Sequence, residues 1–340
     1  MKGFNVMITG CSSFSKELIE CLKNNEDNAR IKVVGVDCDE HNLLKTYVDW
    51  RYVVPRITHP SYIERLIEIC KEHNVKVILP YITKELLLLS ENKQKFEKEG
   101  IKVSVSSPEN LRIVNDKKKI GERYAHLMPL QTFPQTSHDV NSFIEAIEAK
   151  GENVCCKISN GCGGQGFFVI DDKKSSKIDV LGRKDTPLYL SKAYALNLIE
   201  NNGFNVILQE YKMGNDYSVC VLADKGKVLS AVGYIGYSMV CGAVMSGEIK
   251  KHEKAYRIAK NITEELRLDG NLCFDFIVKN DEAYLLEVNP RINATLPFCS
   301  KAGANLAYLR CLSLLGHEVK TPQITYGLKM KKYYESEYFL

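Results

Sequence analysis

No stretch of the 340-residue chain approaches the eighteen or so uninterrupted apolar residues that a membrane-spanning helix needs. Zinc-type spacing is missing too: the twelve cysteines include no CxxC pair and form no cluster with histidine. Cys155 and Cys156 are adjacent, a poor geometry for a structural bridge, and most of the others sit in apolar segments such as "LIEIC" and "LCFDF". They read as small reduced hydrophobes. Charge of one sign is not in excess, since a formal net charge of +4 is weak for this length. It makes no case for nucleic-acid or membrane binding and slightly favours small anionic ligands. The opening run "MKGFNVMITG" ends in glycine without the longer apolar core or cleavage site of a signal peptide, so a cytoplasmic location is expected. The dinucleotide fingerprint GxGxxG is also absent, because "TGCSSFS" at residues 9 to 15 carries only Gly10. That loop reads as a plain strand-to-helix turn, and Asp37 as at most a weak ribose ligand.

What is present is an ordinary globular balance, 45% hydrophobic and 26% charged, in a chain long enough for two or three packed units. The first hundred residues alternate regularly. "NVMITG", "IKVVGVD", "VKVILP" and "IKVSV" read as strands, the second a near-continuous β-branched run suited to burial on both faces. Between them lie helices: "SKELIECLKNN", "SYIERLIEICKEH" with Ser61 as N-cap, and "KELLLLSENKQKFEKEG" closed by Gly100. Strand and helix in turn predict a parallel sheet with crossover helices.

From Pro108 the pattern changes. "PENLRIVNDKKKIGERYAHL" reads as one helix with a basic middle, and a second helix closes at Gly151. Strands then follow strands directly, which predicts antiparallel sheet and an α+β second half. The boundaries expected are 1–108, 109–204 and 205–340. The last fifteen residues, with Tyr333, Tyr334, Tyr338 and Phe339, are expected to pack back on the body.

Three stretches carry chemistry. In "NLCFDFIVKNDEAYLLEVNPR" two strands flank a turn, and Tyr284, Leu286 and Val288 alternate with their neighbours. Glu287 and Asn289, two apart, share a face. A two-residue turn at Asn280-Asp281 would pair Asp275 with Leu286, on the wrong face for Glu287. A three-residue loop or a bulge would set Asp275 opposite Glu287, and that arrangement is the one expected. Two carboxylates and an amide oxygen would then converge, a costly cluster unless a cation neutralises it. An all-oxygen set with few protein ligands suits magnesium, with manganese as an alternative, and Arg291 just beyond could serve a transferring phosphoryl group. The second stretch is "KISNGCGGQG", with Gly161, Gly163, Gly164 and Gly166 after a strand bearing Lys157. It is either a mobile hairpin lid over phosphates or a flexible turn. The third, "LQEYKMGNDYSV", ends a strand at Glu210 and restarts after Asp216. Such strand ends can hold an adenine and ribose, or be an ordinary charged hairpin.

Taken in order, these segments resemble the ATP-grasp superfamily, and specifically one module of the carbamoyl phosphate synthase large subunit. The resemblance covers essentially the whole chain and includes "NDKKK", the glycine-rich lid, the hinge from Glu210 to Asp216, and "FDF…LLEVNPR". It implies an α/β plus α+β fold: a Rossmann-like pre-ATP-grasp domain, then a two-part ATP-grasp domain with a glycine-rich lid. It implies that Lys117 (or Lys118 or Lys119) and Lys157 contact phosphates and that Gly161 to Gly166 close over them. Glu210, with Tyr211 and Lys212, would hold adenine, and Asp216 the ribose. Asp275, Glu287 and Asn289 would bind magnesium, with Arg291 on the phosphoryl group. ATP and Mg2+ are the implied cofactors. The implied reaction joins a carboxylate to an amine through an acyl phosphate; a small-molecule kinase and a non-catalytic nucleotide-binding module are the alternatives. Small-molecule carboxylate and amine substrates are the expected partners, with a homodimer as the expected assembly. One departure stands out: residues 230–247 contain no lysine, arginine or histidine, leaving Lys250 or Lys251 to supply the basic group many family members carry there.

Overall fold

Three β-sheets, two of them sharing a core, carry the chain in the computed structural model, which describes residues 3–159, 166–175, 188–240, 243–333 and 335–338. The first sheet uses β1 (Phe4–Thr9), β2 (Ile31–Asp37), β3 (Trp50–Val53), β4 (Val75–Pro80) and β5 (Lys102–Val103). Their order is β3-β2-β1-β4-β5, all parallel, as the alternating pattern predicts. β1 and β2 are buried almost throughout because helices cover both faces of the sheet.

The second sheet contains β6 (Gln131–Thr132), β7 (Val154–Ile158), β8 (Phe168–Ile170), β9 (Leu188–Leu190) and β10 (Val206–Glu210), in the order β6-β10-β7-β8-β9. β10 pairs along its whole length with β7, so this unit runs through Glu210 and not to the expected boundary at 204. The third sheet is antiparallel: β11 (Asn215–Asp224), β12 (Lys227–Val240), β13 (Ala243–Ile249), β14 (Gly270–Lys279), β15 (Glu282–Asn289) and β16 (Lys329–Lys331), in the order β15-β14-β11-β12-β13-β16. One of its faces packs on the helix Glu253–Glu265 through Phe274, Phe276 and Leu285. The other joins the first sheet in one apolar cluster, with Val6, Ile8 and Leu79 on one side and Cys220, Leu222 and Cys273 on the other. The first and third units therefore share a core, while the second has its own, built on Val140, Cys156, Ile199 and Leu208.

Local chemistry overrides helical periodicity in several places. The expected single helix after Pro108 is two, Pro108–Val114 and Lys117–Arg123. Asp116 divides them, because its carboxylate accepts from the Lys118 and Lys119 amides at 2.9 and 3.1 Å and starts the second helix as an N-cap. The helix before Gly100 likewise divides at Asn92 into Leu86–Glu91 and Lys93–Lys98. Ser61 precedes the helix Tyr62–Glu72 without capping it, since its hydroxyl bonds the His59 ring instead. Nine of the ten described cysteines are buried, and all ten are free thiols. Among the described residues no helix is long and apolar enough to cross a membrane.

Beyond β4 the carboxylate of Glu85 is fully buried. It accepts from the Thr9 hydroxyl at 2.6 Å, the Tyr62 hydroxyl at 2.7 Å and the Tyr81 and Ile82 amides. Burial nevertheless outweighs these donors and raises its pKa. A carboxyl raised on folding contributes stability that is fully present below the ordinary carboxylate pKa, near about 4.3, and is lost as pH rises through the raised value. The urea midpoint is expected to fall over that window, and Glu85→Gln to flatten the fall. An unchanged slope in the variant would assign the pH dependence to another group.

Candidate active site

The hairpin β14–β15 sets the geometry. Lys279 pairs with Glu282 across the two-residue turn Asn280–Asp281, where Asn280 adopts a φ of 53°. A regular ladder from that turn would put Asp275 opposite Leu286. The ladder slips between Asp275 and Phe276, leaving Leu286 as the extra residue of a bulge, and Asp275 stands opposite Glu287. The bulge also changes the phase of the apolar side: Ala283, Leu285 and Val288 are buried, in place of the alternation of Tyr284, Leu286 and Val288.

The three side chains converge, with the Asn289 N–H group, and not its oxygen as expected, turned to the carboxylates. The Asn289 amide donates to Asp275 Oδ2 and to Glu287 Oε1, both at 2.9 Å. From β11, directly opposite, the Ser218 hydroxyl donates to Asp275 Oδ1 at 2.6 Å. The Asp275 pKa is pushed up by burial and by the neighbouring Glu287 carboxylate, against which the Ser218, Cys273 and Asn289 donors act only in part. Excess negative charge of this kind suits a cation. Among the described residues no group of three or more His, Cys, Asp or Glu is gathered for a metal. An ion here would therefore rest on two carboxylates, one amide oxygen and oxygens from water or phosphate, which is how magnesium is held. Turning the Asn289 amide over would bring its oxygen to the cation in place of its two N–H donors.

Lys117, Lys157 and Glu287 line one narrow cleft, together with Met128, Gln131, Ile207, Gln209 and Leu286. Lys157 donates to Gln209 at 2.8 Å, and Gln209 to Gln131 at 3.1 Å, so the lysine is held in place. Lys118 lies 4.0 Å from Glu122 and near the Phe133 ring, and Lys119 lies 3.8 Å from Asp116. Of the three lysines, Lys117 is thus the one that shares a cleft with Lys157. Gly161, Gly163 and Gly164 lie outside the described residues. Gly166 has a φ of 69°, and a Cβ there would sit 2.3 Å from the Ile158 side chain, so glycine suits the return to β8.

At the other end of β10, Glu210 is buried, paired with Lys212 and backbone-bonded to Leu130. Tyr211 donates its amide to the Asn153 carbonyl at 2.8 Å, and the Lys212 ammonium lies over the Tyr284 ring at 5.3 Å. Asp216, accessible to solvent, is still raised in pKa by the protein around it, with Lys157 acting in the opposite direction. Lys157 is thus within electrostatic reach of Asp216 as well as lining the cleft. Arg291 donates from Nε to the Thr83 hydroxyl at 2.9 Å and from Nη1 to the Ile292 carbonyl at 2.8 Å. It links the loop after β15 to the loop after β4. Lys250 is bonded through its backbone, its carbonyl accepting from the Tyr217 hydroxyl at 2.7 Å and its amide donating to the Gly233 carbonyl at 3.0 Å, and Lys251 pairs with Glu253 at 2.7 Å; among the described residues neither side chain bonds the carboxylate cluster.

Sequence reasoning missed Ser218, Gln209, Gln131 and Thr83. None left a local signal: even Ser218 is set opposite Asp275 by the pairing of β11 with β14, which are not consecutive strands.

Residues 6–104 match the family described as "PylC-like, N-terminal domain", and residues 204–335 the one described as "ATP-grasp in the biosynthetic pathway with Ter operon". The carbamoyl phosphate synthase large chain of Clostridium acetobutylicum is 23% identical over 249 residues, 70% of this chain. The match spans only 22% of that protein's length. Among solved structures, the ADP complex of purK, N5-carboxyaminoimidazole ribonucleotide synthetase, superposes with a TM-score of 0.68 at 16% identity, covering 97% of this chain and 81% of that one. The L-amino acid ligase from Bacillus licheniformis gives 0.61 at 14% identity, covering 95% and 76%. These likenesses establish the fold.

Proposed function

Because the chain is an ATP-grasp protein, we propose that it is an ATP-dependent ligase joining a carboxylate to an amine or similar nucleophile. The observation that carries this reading is the convergence of Lys117, Lys157 and Glu287 on one cleft, with Asp275 and Asn289 bonded beside them. Two cations and an acidic pair are the complementary halves of a site for a nucleoside triphosphate with its metal. Lys117 and Lys157 would hold phosphate oxygens, and Asp275, Glu287 and Asn289 a magnesium ion that offsets the phosphate charge. The strand end at Glu210 to Lys212 would take the adenine and Asp216 the ribose.

A substrate carboxylate oxygen attacks the γ-phosphorus in line, the bond to the ADP oxygen breaks, and an acyl phosphate forms. The nucleophile then adds to the acyl carbon, phosphate leaves, and the amine loses a proton. Neither step needs an enzyme nucleophile; positioning and charge stabilisation suffice, with Arg291 supplying a fixed guanidinium near the reacting group.

The test is magnesium-dependent ADP release across a panel of carboxylates and amines, repeated with manganese. Release requiring both an acid and an amine supports the ligase. Release with a single acceptor would make the protein a kinase, and ATP binding with no turnover would make it a nucleotide-binding module.

A further inference from the structure

Residues 230–247, on β12 and β13, bring no basic side chain to the site, but the C-terminal strand brings one. β16 lies along the outer edge of β13, with Lys331 opposite Ser246. The next residue, Lys332, is anchored by its amide, which donates to the Met245 carbonyl at 2.6 Å. Its ammonium donates to the Ala294 carbonyl at 3.0 Å and pairs with Glu17, and the side chain is only 18% exposed. Ala294 belongs to the turn after β15 that carries Arg291 and Asn293. Glu17 belongs to the helix Lys16–Lys23 that follows β1.

The same segment grips the first unit twice more. Glu335 pairs with Lys16, and the Glu337 carboxylate accepts from the Lys45 amide at 3.1 Å, the Thr46 amide at 2.6 Å and the Thr46 hydroxyl. Arg291 bonds Thr83 just after β4, and Lys332 bonds Ala294 in the same turn as Arg291 and pairs with Glu17 just after β1, so both cations tie this turn to the first unit.

We infer that Lys332 is a positioning residue for the acyl end of the substrate. By holding the Ala294 carbonyl it fixes the turn that aims Arg291. By pairing with Glu17 it ties that turn to the first unit and cancels a negative charge that would repel an acid. This half-buried ammonium has three N–H groups, and two protein acceptors leave it fixed in direction. This role rests on the ligase reading, and it assigns to the far end of the chain the charge that Lys250 and Lys251 do not deliver.

The experiment compares Lys332→Met and Lys332→Arg with the wild-type chain in ADP release, in ATP affinity by calorimetry and in hydrogen exchange. Loss of a charged hydrogen bond predicts a KM for the carboxylate about ten-fold higher in Lys332→Met, with ATP affinity within about two-fold of wild type. Lys332→Arg should recover most of the loss. Exchange over residues 290–296 should quicken in Lys332→Met. An unchanged carboxylate KM overturns the inference. So does a parallel loss of ATP and carboxylate affinity that arginine does not rescue, since that would be a merely structural role. The exchange measurement needs no turnover: a wild-type chain releasing no ADP would end the ligase reading, while unaltered exchange at 290–296 would end this one.

Discussion

Replacing Glu287 with glutamine is expected to lower magnesium-dependent ADP release by about 10²- to 10³-fold, the several kcal/mol that a lost metal contact represents. The fold should be untouched. Glutamine has the size of glutamate and keeps an oxygen that can accept the Asn289 N–H now bonded to Glu287 Oε1 at 2.9 Å. In the metal-free protein the expected effect on stability has the opposite sign. Glu287 repels the Asp275 carboxylate and helps raise its pKa. Removing that charge relieves a like-charge contact, so the thermal midpoint without metal should hold or rise slightly. With magnesium and ATP added, the stabilisation seen in the wild-type chain should shrink, because less binding energy is coupled to folding. Full activity in the variant would remove Glu287 from the site.

The bulge that builds this cluster shows how far pattern reading reaches. Polar groups at Glu287 and Asn289 interrupt an apolar strand at alternate positions, which announces a functional face without structural knowledge. That Asp275 had to join them was a geometric condition, and the sequence offered two ways to meet it. The turn keeps two residues and the strand takes the extra one at Leu286. Nothing local distinguishes these, because Leu285 and Leu286 are identical side chains and the choice is made by which one the helix Glu253–Glu265 covers. Leu285 is buried in that cluster, and Leu286 turns toward the cleft.

Elsewhere legibility follows sequence separation. The parallel sheet was plain because runs such as Ile31–Asp37 have no polar face to turn outward. The division of the basic helix at Asp116 was written locally, as an aspartate ahead of three lysines, but helical periodicity concealed it. The contacts of Lys332 were beyond reach, since its partners lie 38 and 315 residues away. The tail does return to the body, as expected, through Lys332, Glu335 and Glu337 and not through Tyr333 or Tyr338. Tyr333 and Tyr338 are 86% and 87% exposed, and Tyr334 and Phe339 lie outside the described residues. Aromatic composition suggested the packing, and paired charges provide it.

Arg310 should give the largest stability effect in the chain. It sits on the helix Leu306–Leu314 with no solvent exposure, where three segments meet. Its Nη1 contacts Asp269 at 2.9 Å and the Ala223 carbonyl at 3.3 Å, and its Nε donates to the Ser104 hydroxyl at 3.0 Å. Ser106 adds a reciprocal pair of bonds to the Asp269 backbone at 2.8 and 2.9 Å. The first and third units are therefore joined by a charged knot within their shared apolar core. The Nη2 atom has no partner, so the guanidinium is not fully satisfied and the pair is not an optimal source of stability. Truncation is still costly, because Arg310→Ala leaves a buried carboxylate facing a cavity. About 3–5 kcal/mol of destabilisation is expected from urea unfolding. Lys93, 3.6 Å from Asp269, offsets part of the stranded charge and favours the lower end of that range. Arg310→Met with Asp269→Asn removes both charges and fills the space, so the double variant should recover a substantial part of the loss. A double variant no more stable than Arg310→Ala would show that the lost guanidinium hydrogen bonds to Ser104 and Ala223, and not stranded charge or a cavity, set the cost of opening this joint.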